Sequence, residues 1–400
     1  MTVPLDRLYH YLADCVNHDL VIYRWTPHGS RKLEHLSMLR GPYQNTQPIM
    51  ICHDQEPVDL GRYSKQDFET AIRHYFQNHN FFKHLKKLTT DPVVSYLANL
   101  GLRGLTIPTN QFDQTLWLHS EQNSTAITTL AQQGYVPVYY WSHGMIAQDW
   151  FRYAEHDPIL NFAPAQIVND FLIYNRAWGG SREYRLCFAE QIIENGLTHH
   201  CTMSFNSVDT QHYTQHQFIN ADFQISNFEL EKFFPKNNHS SNSSADYCNT
   251  DYAKSGIEVV LETLFDDSRW HLTEKALRPI ACGRPFMLMA TPGSLQYLQQ
   301  YGFETFGELI DETYDQIVNP RQRLQAVIAE MSRISALPPE DKIQLFSALN
   351  QIAEQNKLHF FNKFFDQIKQ EYVNNMNHAI TIMNQHCTGK HDQILSKLMK

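Results

Sequence analysis

Short apolar runs alternate with amphipathic stretches along most of this chain. In the first part, residues 20–24 (LVIYR), 48–52 (PIMIC), 115–118 (TLWL) and 136–141 (VPVYYW) have the length and β-branched or aromatic content of strands. Helical periodicity fills 64–88, 90–99 and 124–133 between them, and the alternation predicts a parallel sheet with crossover helices. A further helix is predicted over 145–154, and Asp157-Pro158 followed by NFAPAQ reads as a connection between domains. The pattern then repeats, with a strand at 171–174, a helix over 181–195 ending at Gly196, and a strand at 201–205. Residues 233–255 are poor in apolar positions and rich in Asn and Ser, the composition of a mobile surface loop.

The segment 257–289 (IEVVLETLFDDSRWHLTEKALRPIACGRPFMLM) sets a charged Thr273-Glu274-Lys275 step between two buried strands, 257–261 and 285–289. Thr273 suits an N-cap, Glu274 the positive end of a helix, and Gly283 a left-handed close. Pro279 predicts a kinked or broken turn. Ligands bind open α/β sheets at the carboxyl ends of their strands, where Glu262 and the Thr-Glu-Lys step fall. A carboxylate there can accept ribose hydroxyls, and Lys275, Arg278 and a helix N-terminus can hold a diphosphate. Thr-Glu-Lys alone is better read as a solvated first turn. A helix is predicted over 293–301, and beyond residue 319 helices over 320–334, 338–355 and 359–385 run almost unbroken, without a short internal repeat.

The stretch ETLFDDSRWHLTEKALRPIACGRPF resembles the donor-site segment of fucosyltransferase-like glycosyltransferases, and more closely a group of phage-encoded glycosyltransferases. There an acidic residue after a strand precedes Thr-Glu-Lys, a small-residue stretch and a Pro. The likeness continues through PGSLQYLQQYGFETFGELIDETYD, is good from Phe171 to about Arg323, and is patchier upstream at HDQEP, LHSEQNS and YYWSHGMIAQDWFRY. It implies an α/β protein of two Rossmann-like domains facing a cleft (GT-B-like) with C-terminal helices. The domains expected are an acceptor-side domain over 1–165, a donor domain over 166–335, and helices over 336–400 packing back on them. It further implies a nucleotide-diphosphate sugar of UDP or GDP type as co-substrate, with Glu262 and Glu274 on the nucleoside and Lys275 on the diphosphate.

The length of 400 residues suits two domains. Hydrophobic residues make 42% and aromatics 12%, the composition of a folded protein. No apolar run reaches the roughly 20 residues needed to span a bilayer and no signal peptide is evident, so a cytosolic protein is expected, in the host cytoplasm if phage-encoded. Seven cysteines without a C-x-x-C spacing read as reduced thiols. A net charge of -9 argues against a protein that coats a polyanion, while leaving room for a local basic groove.

Sugar transfer needs a neutralised diphosphate and a deprotonated acceptor hydroxyl. Asn175, Arg176, Arg182 and Arg185 follow the strand at 171–174 and form one candidate phosphate cluster; Glu262, Thr273, Glu274, Lys275 and Arg278 form the other. Surface arginines are the plain alternative for the first. Asp54 or Glu56, and after them His143, are the candidate general bases; capping and loop bonds are their plain alternative. The absence of an Asp-x-Asp triplet weakens a metal-dependent single-domain reading, so an inverting, metal-independent enzyme is expected. No G-x-S-x-G or G-x-G-x-x-G occurs to support a hydrolase or a dinucleotide oxidoreductase. Acceptors left open are a hydroxylated or hydroxymethylated base in phage DNA, a surface glycan and a protein. A non-catalytic nucleotide-sugar or nucleic-acid binding protein of the same fold is the alternative.

Overall fold

The structure is a computed structural model and describes residues 6–15, 21–25, 33–35, 49–53, 57–62, 115–234 and 244–398. It is an α/β protein with two largely parallel sheets, and the chain divides into two compact units. One unit comprises Tyr9–Ser142 and Gln370–Lys400, the other Met1–Leu8 and His143–Lys369. No helix among the described residues is long and apolar enough to cross a membrane.

The first of these units carries a five-stranded sheet in the order β2-β1-β3-β4-β5, from β1 (Val21–Trp25), β2 (Leu33–His35), β3 (Ile49–His53), β4 (Thr115–His119) and β5 (Val136–Tyr139). All neighbours are parallel except β2, which pairs antiparallel with β1 through Tyr23↔His35 and Trp25↔Leu33. This edge strand was not legible in the sequence, since three residues give no period. Nor was α1 (Asp6–Asp14), whose Leu8, Tyr9 and Leu12 are buried. Helix α2 (Thr125–Gln132) crosses between β4 and β5 and buries Ile127 and Leu130. The expected helices over 64–88 and 90–99 lie outside the described residues.

The other unit carries a four-stranded, all-parallel sheet in the order β7-β6-β8-β9, from β6 (Asn169–Asn175), β7 (Cys201–Phe205), β8 (Ser255–Leu261) and β9 (Phe286–Met289). Every residue of β8 and β9 is buried, which explains their largely apolar runs, Glu258 being the one charge within 257–261: helices cover both faces of a parallel sheet. Helix α3 (Ser142–Trp150) leads into this unit and α4 (Tyr184–Glu194) links β6 to β7. The irregular stretch after β7 is tied down by buried carboxylates of the α4 region. Glu183 accepts from Ile219 N at 2.9 Å and Asn220 N at 2.6 Å, and Glu190 from Ser226 N at 2.6 Å and Asn227 N at 2.7 Å.

The expected loop over 233–255 folds at its described end. Asn249–Ala253 form a short helix, α5, because Tyr252 is buried on Glu258 and Asp251 accepts from the Tyr174 hydroxyl at 3.0 Å. Helix α6 (Glu274–Ala281) joins β8 to β9 and runs through Pro279 without a break. Pro279 sits in its last turn, where it removes one amide donor to the Lys275 carbonyl, and its own carbonyl accepts from Arg284 N at 2.9 Å. Gly283 closes the helix at φ +63.

Helices α7 (Ser294–Gln300), α8 (Pro320–Ser335) and α9 (Pro339–His359) complete this unit. A Cβ on Gly256 would lie 2.7 Å from the Phe346 ring, so glycine is what lets α9 seat against β8. A π-helical turn over Phe360–Phe364 follows, and Gln148 Nε2 donates to its Phe360 carbonyl at 2.5 Å. Helix α10 (Phe365–Leu398) continues into the five-stranded unit, where Tyr372 donates to Leu12 O at 3.3 Å and Asn375 to Tyr139 O at 3.0 Å.

Candidate functional site at the carboxyl ends of β6 and β8

Where β8 ends, the chain leaves the sheet at Glu262, whose amide still donates to Met289 O at 3.0 Å. Its carboxylate is fully buried and turned onto the start of α6. Oε1 accepts from Thr273 N at 3.0 Å and Ala276 N at 3.3 Å, and Oε2 from Thr263 N at 3.0 Å and the Thr273 hydroxyl at 2.7 Å. Thr273 caps the helix as the sequence suggested, accepting from Lys275 N at 3.4 Å. The positive end of α6 is therefore already filled by the protein's own anion. A diphosphate placed here would meet the Lys275 side chain rather than these amides.

Lys275 Nζ lies 3.0 Å from Thr273 Oγ1, 3.1 Å from Glu274 Oε1 and 3.4 Å from Thr263 Oγ1, with its side chain 18% exposed. Glu274 Oε1 also accepts from the Ser244 hydroxyl, and Glu274 Oε2 sits 3.2 Å from His143 Nε2. Burial alone pushes the Glu274 carboxyl up, but Lys275, His143 and Ser244 outweigh it and hold it well below the usual carboxylate range. The His143 ring meets His271 edge-on at 5.6 Å and Trp150 at 6.2 Å, and is 2% exposed.

Arg278 shares α6 but points elsewhere. It pairs with Glu258 at 2.5 Å, donates to the Tyr252 hydroxyl at 3.1 Å and stacks over Tyr174 at 4.4 Å. Burial disfavours its charge, and Glu258 more than restores it. Arg278 thus fastens α6 to β8, and its fork is spent.

Arg185 is likewise a staple. It donates to Ala177 O at 2.6 Å, Leu261 O at 2.5 Å and Glu262 O at 2.9 Å, tying the end of β6 to the end of β8. Its Nε and the Asn175 Oδ1 are buried without a hydrogen-bond partner, while Asn175 Nδ2 donates to Arg185 O at 3.1 Å. Tyr184 and Ser181 add bonds to Glu262 O at 2.7 Å and Thr263 O at 3.0 Å. Arg182 is half-buried and Arg176 exposed.

The structure thus gathers Glu262, Thr273, Glu274, Lys275 and His143 into one network. It gives Arg278 and Arg185 structural partners; Asp54 and Glu56 lie outside the described residues. Sequence reasoning missed Thr263, Ser244 and His271. Thr263 follows Glu262 directly and His271 stands two residues before the cap, so proximity to the motif was a usable signal; Ser244, in an Asn/Ser-rich stretch, offered none. Among the described residues no group of His, Cys, Asp and Glu is arranged to hold a metal ion. Compared with family models, curated proteins and solved structures, the chain matches none.

Proposed function

We propose that this chain is a glycosyltransferase that moves a sugar from a nucleotide-diphosphate sugar to an acceptor hydroxyl, holding the donor diphosphate on Lys275. The observation that carries the reading is the Glu274 carboxylate, which holds a partly open lysine on one oxygen and an imidazole on the other. A cation for the leaving diphosphate and a base for the acceptor are the two groups that transfer needs. Their position at the carboxyl ends of parallel strands is where α/β proteins bind nucleotides. The resemblance around Thr-Glu-Lys points the same way and adds a GT-B-like division of labour, with the donor on the four-stranded unit and the acceptor on the five-stranded one. The acceptor class, with modified phage DNA, a glycan and a protein as candidates, stays an expectation from that resemblance.

In this mechanism the acceptor hydroxyl gives its proton to His143 and attacks the anomeric carbon from the face opposite the phosphate, inverting it. Lys275 neutralises the departing diphosphate, and turnover is expected to persist in EDTA. The test is a thermal-shift scan with UDP, GDP and their sugars. A saturable rise of about 2.7 kcal/mol in stability at a hundredfold excess over Kd is expected, and Lys275→Ala should abolish it. No response to any nucleotide or nucleotide sugar would sink the reading.

A second reading has its own support. His143 is 2% exposed, which favours a donor-binding protein without turnover. Donor binding with neither donor hydrolysis nor transfer, unchanged in His143→Ala, would establish it.

A further inference from the structure

The Glu274 carboxylate is shared between two positive or potentially positive groups, and the two differ in how firmly they are placed. His143 is fixed by Trp150 and His271 around its ring and by its 3.2 Å contact to Oε2. Lys275 ends in a compact ammonium with three rotatable donors, one of them on a 3.4 Å contact, and keeps an exposed edge. An anion arriving at that edge competes with Glu274 for the ammonium.

We propose that Glu274 couples donor binding to the basicity of His143: the diphosphate draws Lys275 off the carboxylate, which is then left to stabilise the imidazolium of His143. The inference rests on the glycosyltransferase reading and makes Glu274 a positioning residue rather than a nucleoside contact. In the step itself the acceptor O–H bond breaks and its proton passes to the His143 imidazole. The acceptor oxygen bonds the anomeric carbon, and the carbon–oxygen bond to the β-phosphate breaks with its electron pair on the phosphate, beside Lys275.

Among the described residues, Glu274 from α6 and His271 from the turn before it face His143. On its own helix Trp150 lies beside the ring, and Asp149 is engaged by Arg7 at 3.1 Å. Ser244 and Lys275 also bond Glu274, which is held charged throughout the neutral range. Donor binding thus strengthens the base only when the leaving group is in place, a safeguard against wasted proton transfer.

The experiment uses the full chain labelled with 13C-histidine, the His143 signal being assigned by its loss in His143→Gln. Its titration is followed free and saturated with UDP or GDP, whichever stabilises the protein. The expected result is a rise of roughly one pKa unit on binding, a tenfold gain in basicity. Lys275→Arg and Ser244→Ala should keep the shift, and Glu274→Gln should lose most of it while still binding nucleotide. Binding with an unshifted His143, or an equal shift in Glu274→Gln, overturns the coupling and leaves the glycosyltransferase reading standing. No stabilisation by either nucleotide overturns both.

Discussion

The four-stranded sheet carries the same three groups at its two ends: a histidine and a lysine on one carboxylate. At the amino end Asp170 Oδ2 takes His200 at 2.8 Å and Lys342 at 2.7 Å; at the carboxyl end Glu274 takes His143 at 3.2 Å and Lys275 at 3.1 Å. The first trio pins α9 to β6, with both partners on one oxygen. The second spreads its partners over two oxygens, beside the loop that leaves β8 and the start of α6. Composition does not separate a structural pin from a candidate site here. What separates them is which end of the strands they occupy, because only at the carboxyl end do loops and helix starts converge on one place.

The sharpest way to break this comparison is to remove each imidazole. His143→Ala should lower transfer by about 10²–10⁴-fold, the range of a lost general base, while His200→Ala leaves turnover unchanged; equal losses in a donor-hydrolysis assay would erase the distinction. Next in size is Glu258→Gln, which leaves the Arg278 guanidinium buried without its carboxylate. A cost of about 3–5 kcal/mol is expected, read as a lower denaturation midpoint, with a smaller loss if Arg278 can reach water. Lys342→Ala should cost about 1 kcal/mol without altering nucleotide-induced stabilisation. Lys275→Ala should cost about as much and abolish that stabilisation as well.

The smallest effect is one of pH. The Glu274 carboxyl is held low, so its contribution is present above the ordinary carboxylate range and lost as pH falls through its folded value. Asp315 is opposite: burial pushes it up to about 6, so its contribution is present below the ordinary range and lost as pH rises through about 6. Glu274→Gln should therefore destabilise at pH 7 more than at pH 4, and Asp315→Asn should raise the melting temperature at pH 7 more than at pH 4. Parallel pH profiles for the two variants would contradict these signs.

The strands flanking Thr-Glu-Lys, the helix between them and its Thr273 cap were legible because both faces of β8 and β9 are covered, which leaves apolar runs interrupted within 257–261 only at Glu258. The roles of individual charges were not. Arg185, Arg278 and Lys275 are equally basic in the sequence. Only the fold shows that Ala177, Leu261 and Glu262 carbonyls claim the first and Glu258 the second, and that the third keeps an open edge. His143 and Glu274 stand 131 residues apart, a pairing no local pattern encodes. Helix α1 and strand β2 escaped because one lies in a short terminal stretch and the other spans three residues.

Glu262 gives this chain a resident competitor for any anion that approaches the start of α6. Selectivity at such a helix end is then adjustable by removal rather than by addition. Glu262→Ala would leave buried amides at the start of α6 unpaired, at a cost of about 1–3 kcal/mol, and vacate amides that sulfate or phosphate can claim, visible as a salt-specific rise in melting temperature absent from the parent.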